Sequence, residues 1–309
     1  MFRPYLSEID FQSRVLEIGP FTKPNVPKER YKQVYYADIR STEDVKAFYK
    51  AAGWGADPDE IVDIDYVINE HGYADTLRDV EKFDYIVATH VIEHVPQLIA
   101  WLQDLSNILK PNGKLCLSIP DKRYTFDHYR YQTTFAECFD VYTRNIKNHP
   151  ARVLDEVINA TKTDPAYWRV NCNDMDALHK DASLFRSAVD LYQKALADHT
   201  YMTPLHYSVF TPESFLLILY GMHKLSLLPF RCVEFYDTEE NTIEFNCVLL
   251  NRPELLEPDT GMMEAEDDNL RRLLKRHQDY YSSPQYLQDQ RSHEVFLDIF
   301  SEDIARLPE

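Results

Sequence analysis

FDYIVATHVIEHVPQLIAWLQDLSNILKPNGKLCLSIPD, Phe83 to Asp121, reads in one pass as buried strand, polar loop, amphipathic helix, turn and second buried strand. Tyr85 to Ala88 form a short apolar run that ends at Thr89, His90, Glu93 and His94, whereas Ile99, Leu102, Leu105, Ile108 and Leu109 recur at helical spacing. Pro111-Asn112-Gly113 is expected to stop the helix before the next strand. Together these make a βαβ crossover. Such crossovers are right-handed, and open α/β sheets bind ligands at the carboxyl edge of their strands, so function is expected around residues 89 to 94.

The upstream chain repeats this grammar. Arg14-Val15-Leu16-Glu17-Ile18-Gly19 is an apolar strand closing on a carboxylate and a glycine, and Gln33-Val34-Tyr35-Tyr36-Ala37-Asp38 is a second strand closing on an acid. Asp38 follows Glu17 by 21 residues. A nucleotide-binding βαβ unit places an acid roughly 20 residues after its first turn, where the carboxylate can accept both ribose hydroxyl protons. Asp38 is therefore the expected ribose contact. A third strand is expected over Ile61 to Val67, with Asp65 and Tyr66 where an adenine edge would pass.

The 309 residues, 44% hydrophobic, suffice for a sizeable core. A net charge of -18 argues against a nonspecific nucleic-acid or anionic-membrane surface, both of which need a concentrated positive field. No apolar run approaches the roughly 18 residues of a bilayer span, and MFRPYLSEIDF lacks a signal-peptide core, so a cytoplasmic location is expected. Cys116, Cys138, Cys172, Cys232 and Cys247 show no C-x-x-C spacing, which points to neither a disulfide framework nor a zinc ribbon; Cys116 and Cys247 read as core. His90 and His94 have the i, i+4 spacing of a metal pair, but His90 precedes the helix and spacing supplies no third ligand, so no metal is expected.

Beyond Asp121 the pattern changes. Residues 122 to 207 show no strand, and Phe135 to Asn148, Ala151 to Thr161 and Asp176 to Ala197 read as amphipathic helices. Thr211-Pro212 then starts an apolar helix over Ser214 to Leu227, with Thr211 as N-cap. Arg231 to Phe235 and Thr242 to Leu250 are joined too closely for a parallel crossover and are expected as an antiparallel hairpin at one sheet edge. The charged tail carries helices at Asp267 to Tyr281 and His293 to Ile304 and reads as a solvated face or an oligomer contact. The expected units are thus 1–123, a first core part; 124–207, a helical insertion capping the acceptor side; 208–252, a second core part; and 253–309, the tail.

VLEIGP at 15–20, YYAD at 35–38, DIDYV at 63–67, FDYIVATHVIEHV at 83–95 and LKPNGKLCLSIPD at 109–121 resemble the successive motifs of class I S-adenosylmethionine-dependent methyltransferases. The resemblance covers about residues 12 to 125 strongly and 206 to 251 more loosely. It implies a Rossmann-like α/β fold, with a mostly parallel seven-stranded sheet, a terminal antiparallel hairpin and a helical insertion. IPDKRYTFDHYR at 119–130, His206 and FTPESF at 210–215 further resemble bacterial methyltransferases of surface-polysaccharide biosynthesis, implying a sugar or sugar-linked acceptor. The chain departs from the family at the glycine-rich loop, where Phe21 and Lys23 stand at the later glycine positions.

From that resemblance the cofactor is S-adenosylmethionine. Glu17, Gly19 and Pro20 are expected to bind it, the Gly19 backbone at the methionine part with His90 closing that end, Asp38 at the ribose, and Asp65 with Tyr66 at the adenine. For a hydroxyl acceptor a neutral histidine is the natural general base; His94 is the first candidate and His206 the second, with Asp127 orienting either. Arg123, Tyr124 and Arg130 follow the last parallel strand and are expected to face the acceptor, arginine suiting a phosphate or carboxylate on it. A small-molecule or glycan acceptor is the expected partner, alongside a homo-oligomer or glycosyltransferase contact and no nucleic acid. Two competing readings are a noncatalytic module on the same scaffold and a nicotinamide oxidoreductase, the latter requiring phosphate-cradling glycines that the chain lacks.

Overall fold

The computed structural model describes residues 3–52, 57–161, 182–198, 205–239, 241–257 and 260–281. A seven-stranded sheet runs through the centre in the order β3-β2-β1-β4-β5-β7-β6. Strands β1 (Arg14–Ile18), β2 (Gln33–Asp38), β3 (Tyr66–Val67), β4 (Phe83–Thr89) and β5 (Leu109–Pro120) are parallel, while β7 (Glu244–Asn251) lies antiparallel between β5 and β6 (Phe230–Tyr236). The expected α/β architecture with its antiparallel pair is the one observed.

All five residues of β1 are buried because helices and the N-terminal segment cover both faces. Alternation sorts side chains into two layers. Leu16, Ile18, Ile86, Leu115, Leu117 and Leu249 join the larger core beneath α3 (Leu98–Ile108) and α7 (Pro212–Lys224). Val15, Val87, Cys116 and Val248 join the smaller one, capped by Tyr5. The Tyr5 hydroxyl meets Ser118 Oγ at 2.8 Å, which ties residues 3–9 to the middle of β5.

Two expectations in this half are corrected. Pro111-Asn112-Gly113 lies within β5, not ahead of it: Asn112 takes φ +62°, and the β4–β5 register slips between Phe83 and Tyr85. A Cβ on Gly113 would stand 2.9 Å from the Lys110 carbonyl, so this bulge requires glycine. The third strand shrinks to Tyr66–Val67 because Val62 and Ile64 donate their N–H groups to Phe21 O and Thr42 Oγ1 instead of a ladder.

Helices α1 (Thr42–Ala52) and α2 (Tyr73–Thr76) complete the first half. Then α4 (Phe135–Thr143), α5 (Pro150–Asn159) and α6 (Ala182–Ala197) follow β5 without a strand among the described residues. The first ends earlier than expected, and residues 176–181 of the third lie outside the described residues. Thr134 and Glu137 form a capping box at α4, and Thr211 with Ser214 forms one at α7, where Pro212 takes the first turn as expected. In the tail, α8 (Thr260–Tyr281) begins before Asp267 and packs on α7 and β6, burying Leu270, Glu266 and Asn269. It covers a bulged edge strand: the Cys232 N–H reaches Glu266 Oε1 and the Cys232 carbonyl accepts from Asn269 Nδ2. The helix expected at 293–304 lies outside the described residues, as does Cys172; Cys116, Cys138, Cys232 and Cys247 are buried thiols.

Candidate active site

Three parallel strands leave the sheet side by side. Ile18 pairs with Ala37 on one side and Ala88 on the other, so Gly19, Asp38 and Thr89 open onto one edge. Gly19 takes φ +64°, a conformation glycine adopts at no steric cost. Pro20 is buried next to it, and Phe21, at φ +50°, turns its ring onto Tyr49, with centroids 5.1 Å apart. With later glycines missing, a carboxylate organises the loop. Glu17 Oε1 accepts the Asn25 N–H at 2.8 Å and Asn25 Nδ2 at 2.9 Å, and Oε2 accepts the Val26 N–H at 2.9 Å. Burial pushes the Glu17 carboxyl up, and these donors oppose it.

Asp38 Oδ1 accepts the Arg40 N–H at 2.9 Å. Burial raises its carboxyl, offset in part by that donor, so further hydroxyl donors would replace water the side chain has lost. Asp65 is differently engaged: its oxygens take Lys28 Nζ at 2.8 and 2.7 Å and the Tyr36 N–H at 2.7 Å. Tyr66 stacks on Tyr35 with centroids 5.7 Å apart.

Past β4 the chain kinks sharply. His90, at φ +51°, donates its N–H to Ser118 O at 3.0 Å and leads into a 3-10 turn at Ile92–His94 that drives Glu93 inward. Glu93 is 0% exposed, and among the described residues neither of its carboxylate oxygens has a hydrogen-bond partner. Three imidazoles surround Oε1: His94 Nε2 at 3.8 Å, His206 Nε2 at 3.9 Å and His90 Nδ1 at 4.0 Å. The other nitrogen of each ring donates to an oxygen. His90 Nε2 bonds Glu244 Oε2 at 2.8 Å, His94 Nδ1 bonds Leu205 O at 3.0 Å, and His206 Nδ1 bonds Asp127 Oδ2 at 2.5 Å. In a neutral ring such a bond fixes the tautomer and turns the lone pair of the other nitrogen toward Glu93.

Asp127 thus orients His206, while a backbone carbonyl orients His94. Burial works against the His206 cation, but Asp127 and the charges of Glu93 and Glu156 raise this imidazole above its ordinary value; burial pushes His94 down. Asp127 itself is held below the usual range, against its burial, by His206 and Arg130.

Arg130 is 0% exposed and engages all three guanidinium nitrogens: Nε with Asp155, Nη1 with Asp127 and Glu156, and Nη2 with the His206 carbonyl. Arg123 folds onto Asp121 with contacts of 2.5 to 3.0 Å, and Tyr124 is buried beside it. The structure gives both arginines internal acidic partners. Residues that spacing did not reveal complete the edge. Arg3 reaches Glu244 at 3.0 Å and Asn25 Oδ1 at 2.5 Å, so one chain of contacts links Glu17 through Asn25, Arg3 and Glu244 to His90. Glu93 was visible only as part of a polar cluster, and nothing local marks Arg3, Asn25 or Glu244, which meet from distant parts of the chain.

A family model described as a methyltransferase domain matches residues 3–161. The chain belongs to this methyltransferase family. S-adenosylmethionine is its cofactor, and the edge suits that ligand: a glycine backbone at β1 and an acid at β2 for a ribose diol. No curated protein sequence matches the chain. Among solved structures, this methyltransferase is similar to the DszA carbon methyltransferase, with 11% identity, 78% of this chain and 48% of that one covered, and a TM-score of 0.35. It thus spans about half the length of that protein. It is also similar to a SAM-dependent methyltransferase from Aquifex aeolicus (11% identity, 80% and 87% covered, TM-score 0.36). A third is an S-adenosylmethionine-dependent methyltransferase from Clostridium acetobutylicum (11% identity, 79% and 85% covered, TM-score 0.37). Among the described residues no helix is long and apolar enough to cross a membrane.

Proposed function

We propose that this methyltransferase acts on a hydroxyl of a small polar acceptor, of the sugar or sugar-linked class, bound over the Glu93 cluster. The observation that carries the reading is the set of three imidazoles whose outer nitrogens are occupied and whose inner lone pairs share one space. A hydroxyl entering that space can hand its proton to an imidazole as its oxygen attacks, which amine or thiolate nucleophiles need less. The sugar class rests on the resemblance carried by residues 119–130, His206 and 210–215.

Bound S-adenosylmethionine supplies a methyl carbon on a sulfonium, whose bond pair returns to sulfur as the acceptor oxygen attacks. The residues of the chain align and protect that event. Asp38 holds the ribose side, the Gly19 backbone and His90 border the methionine side, and α4–α6 cap the acceptor. His206 Nε2, made basic by Asp127, is the stronger proton acceptor, and His94 is the one with more open access, with 38% of its side chain exposed. Radiolabelled S-adenosylmethionine offered with hydroxylated, aminated and thiol-bearing sugars tests the assignment. Label in an alkali-stable ether is expected; label confined to nitrogen, sulfur or carbon would contradict it.

A further inference from the structure

We propose that Glu93, His94 and His206 form a binding site for one divalent transition-metal ion of the zinc class, with His90 at its rim. One ligand atom from each of the three lies within 4.8 Å of the other two. An ion with bonds near 2.1 Å keeps tetrahedral donors roughly 3.4 Å apart, so the 3.8 and 3.9 Å between Glu93 and the two imidazoles close by about half an ångström, and the widest separation, within 4.8 Å, closes by a turn of the imidazole rings.

Three independent features point to a cation. The first is the Glu93 carboxylate, fully buried with both oxygens unpartnered among the described residues and aimed at two imidazole nitrogens. With the rings neutral, the buried carboxylate and the nitrogen lone pairs repel one another, and a metal cation between them would make ligands of both. The second is the outer shell. Metal-binding histidines donate their remaining N–H to a carboxylate or backbone carbonyl, and here Asp127 serves His206 while Leu205 O serves His94. Arg130 braces Asp127 in turn. The third is access: Glu93 is sealed, but His94 and His90 keep 38% and 32% of their side chains open, which leaves a side for an ion and for an acceptor oxygen. Two imidazoles and one carboxylate with an open position make a set that suits zinc, iron, cobalt or nickel ions.

The ion's part in chemistry rests on the methyl-transfer reading above; its binding does not. With the ion in place the imidazole lone pairs are occupied. Such an ion would act as a Lewis acid toward an acceptor hydroxyl at the open position, which would give its proton to water as its oxygen takes the methyl carbon and the carbon–sulfur pair passes to sulfur. His206 and His94 become ligands in that state, and Asp127 a positioning residue.

The test uses the full chain, stripped with a chelator and titrated with Zn²⁺ alone by calorimetry and with Co²⁺ alone by visible absorption. One ion per chain is expected, with Co²⁺ showing bands unlike those of the aqueous ion. Glu93→Gln and His94→Ala should each weaken binding by at least about 100-fold, and Asp127→Asn by about 10- to 100-fold, with circular dichroism and S-adenosylmethionine affinity retained. Aqueous Co²⁺ bands throughout, or one-to-one binding unchanged in both Glu93→Gln and His94→Ala, would overturn the site. Undiminished methyl transfer in stripped protein with no ion bound would overturn the ion's part in the chemistry while leaving the methyltransferase reading intact; ion binding without any methylation would spare the site and remove that reading.

Discussion

Glu17 and Glu93 are the same side chain at the ends of neighbouring strands of one sheet, buried to 2% and 0% exposure, and their surroundings could hardly differ more. Three N–H donors from Asn25 and Val26 converge on Glu17. Glu93 has no hydrogen-bond donor among the described residues and faces imidazole nitrogens instead. A buried charge without partners costs several kcal/mol, and folds that tolerate one hold it by over-determined surroundings, here the Arg130–Asp127–His206 network. The contrast separates two halves of the edge: Glu17 builds a loop, whereas Glu93 is held in readiness for a charge that the fold itself does not supply.

The largest effect should come from removing the unsatisfied acid. Glu93→Gln is expected to lower methyl-transfer turnover by about 10²- to 10⁴-fold, the range for a positioned proton-transfer apparatus. Urea unfolding of the stripped variant should show no loss of stability, since an uncompensated charge has been removed; a loss above roughly 1 kcal/mol would mean that Glu93 has a structural partner like Glu17. Glu17→Gln should do the reverse. An amide can accept at only one atom, so a backbone N–H of the 19–26 loop loses its partner, and unfolding measurements should register a loss of about 1–3 kcal/mol.

A third buried acid, Glu266, lies outside the site. Burial pushes the Glu266 carboxyl, beneath the edge strand, from 4.5 up to about 7, against its bonds to Cys232 and Asn269 and the charge of Arg231. Between those values the folded chain holds a proton that the unfolded chain has released. Its contribution is therefore complete below pH 4.5 and is lost as pH climbs through about 7. Glu266→Gln should flatten the decline of stability across that window and stabilise the chain at pH 8 by roughly 1–2 kcal/mol. A decline that persists unaltered would place its cause elsewhere.

What the sequence disclosed follows the same division. The strands β1, β2, β4 and the second half of β5 are legible because burial makes the middle of each a short apolar run, and the acid at the end of β2 is legible because strand length fixes where it emerges. The third strand misleads because Ile61 and Val62 are apolar for another reason: Ile61 is buried and Val62 donates its N–H to the 19–26 loop. Asp127, His94 and His206 can be picked out as chemistry-bearing residues, but their pairing cannot. Whether Asp127 meets His94 or His206 depends on how residues 205–210 return to the sheet, where Ser208 donates to the Glu93 carbonyl and Thr133 to that of Val209. Arg123 and Arg130 look like acceptor contacts by position, and only the fold reveals the acids that claim them. The Glu17 clamp replaces missing glycines with a carboxylate and an asparagine eight residues on, a solution with no spacing rule to announce it.

In the proposed reaction the donor sits at the edge opened by Gly19 and Asp38, beside the Glu93 cluster. Calorimetric titration of S-adenosylmethionine into the wild-type chain and into Asp38→Ala tests it most directly. One site per chain is expected, weakened in the variant by about 2–4 kcal/mol, or roughly 30- to 1000-fold, as two hydrogen bonds to a charged acceptor are lost. Equal affinity in the two proteins would contradict it.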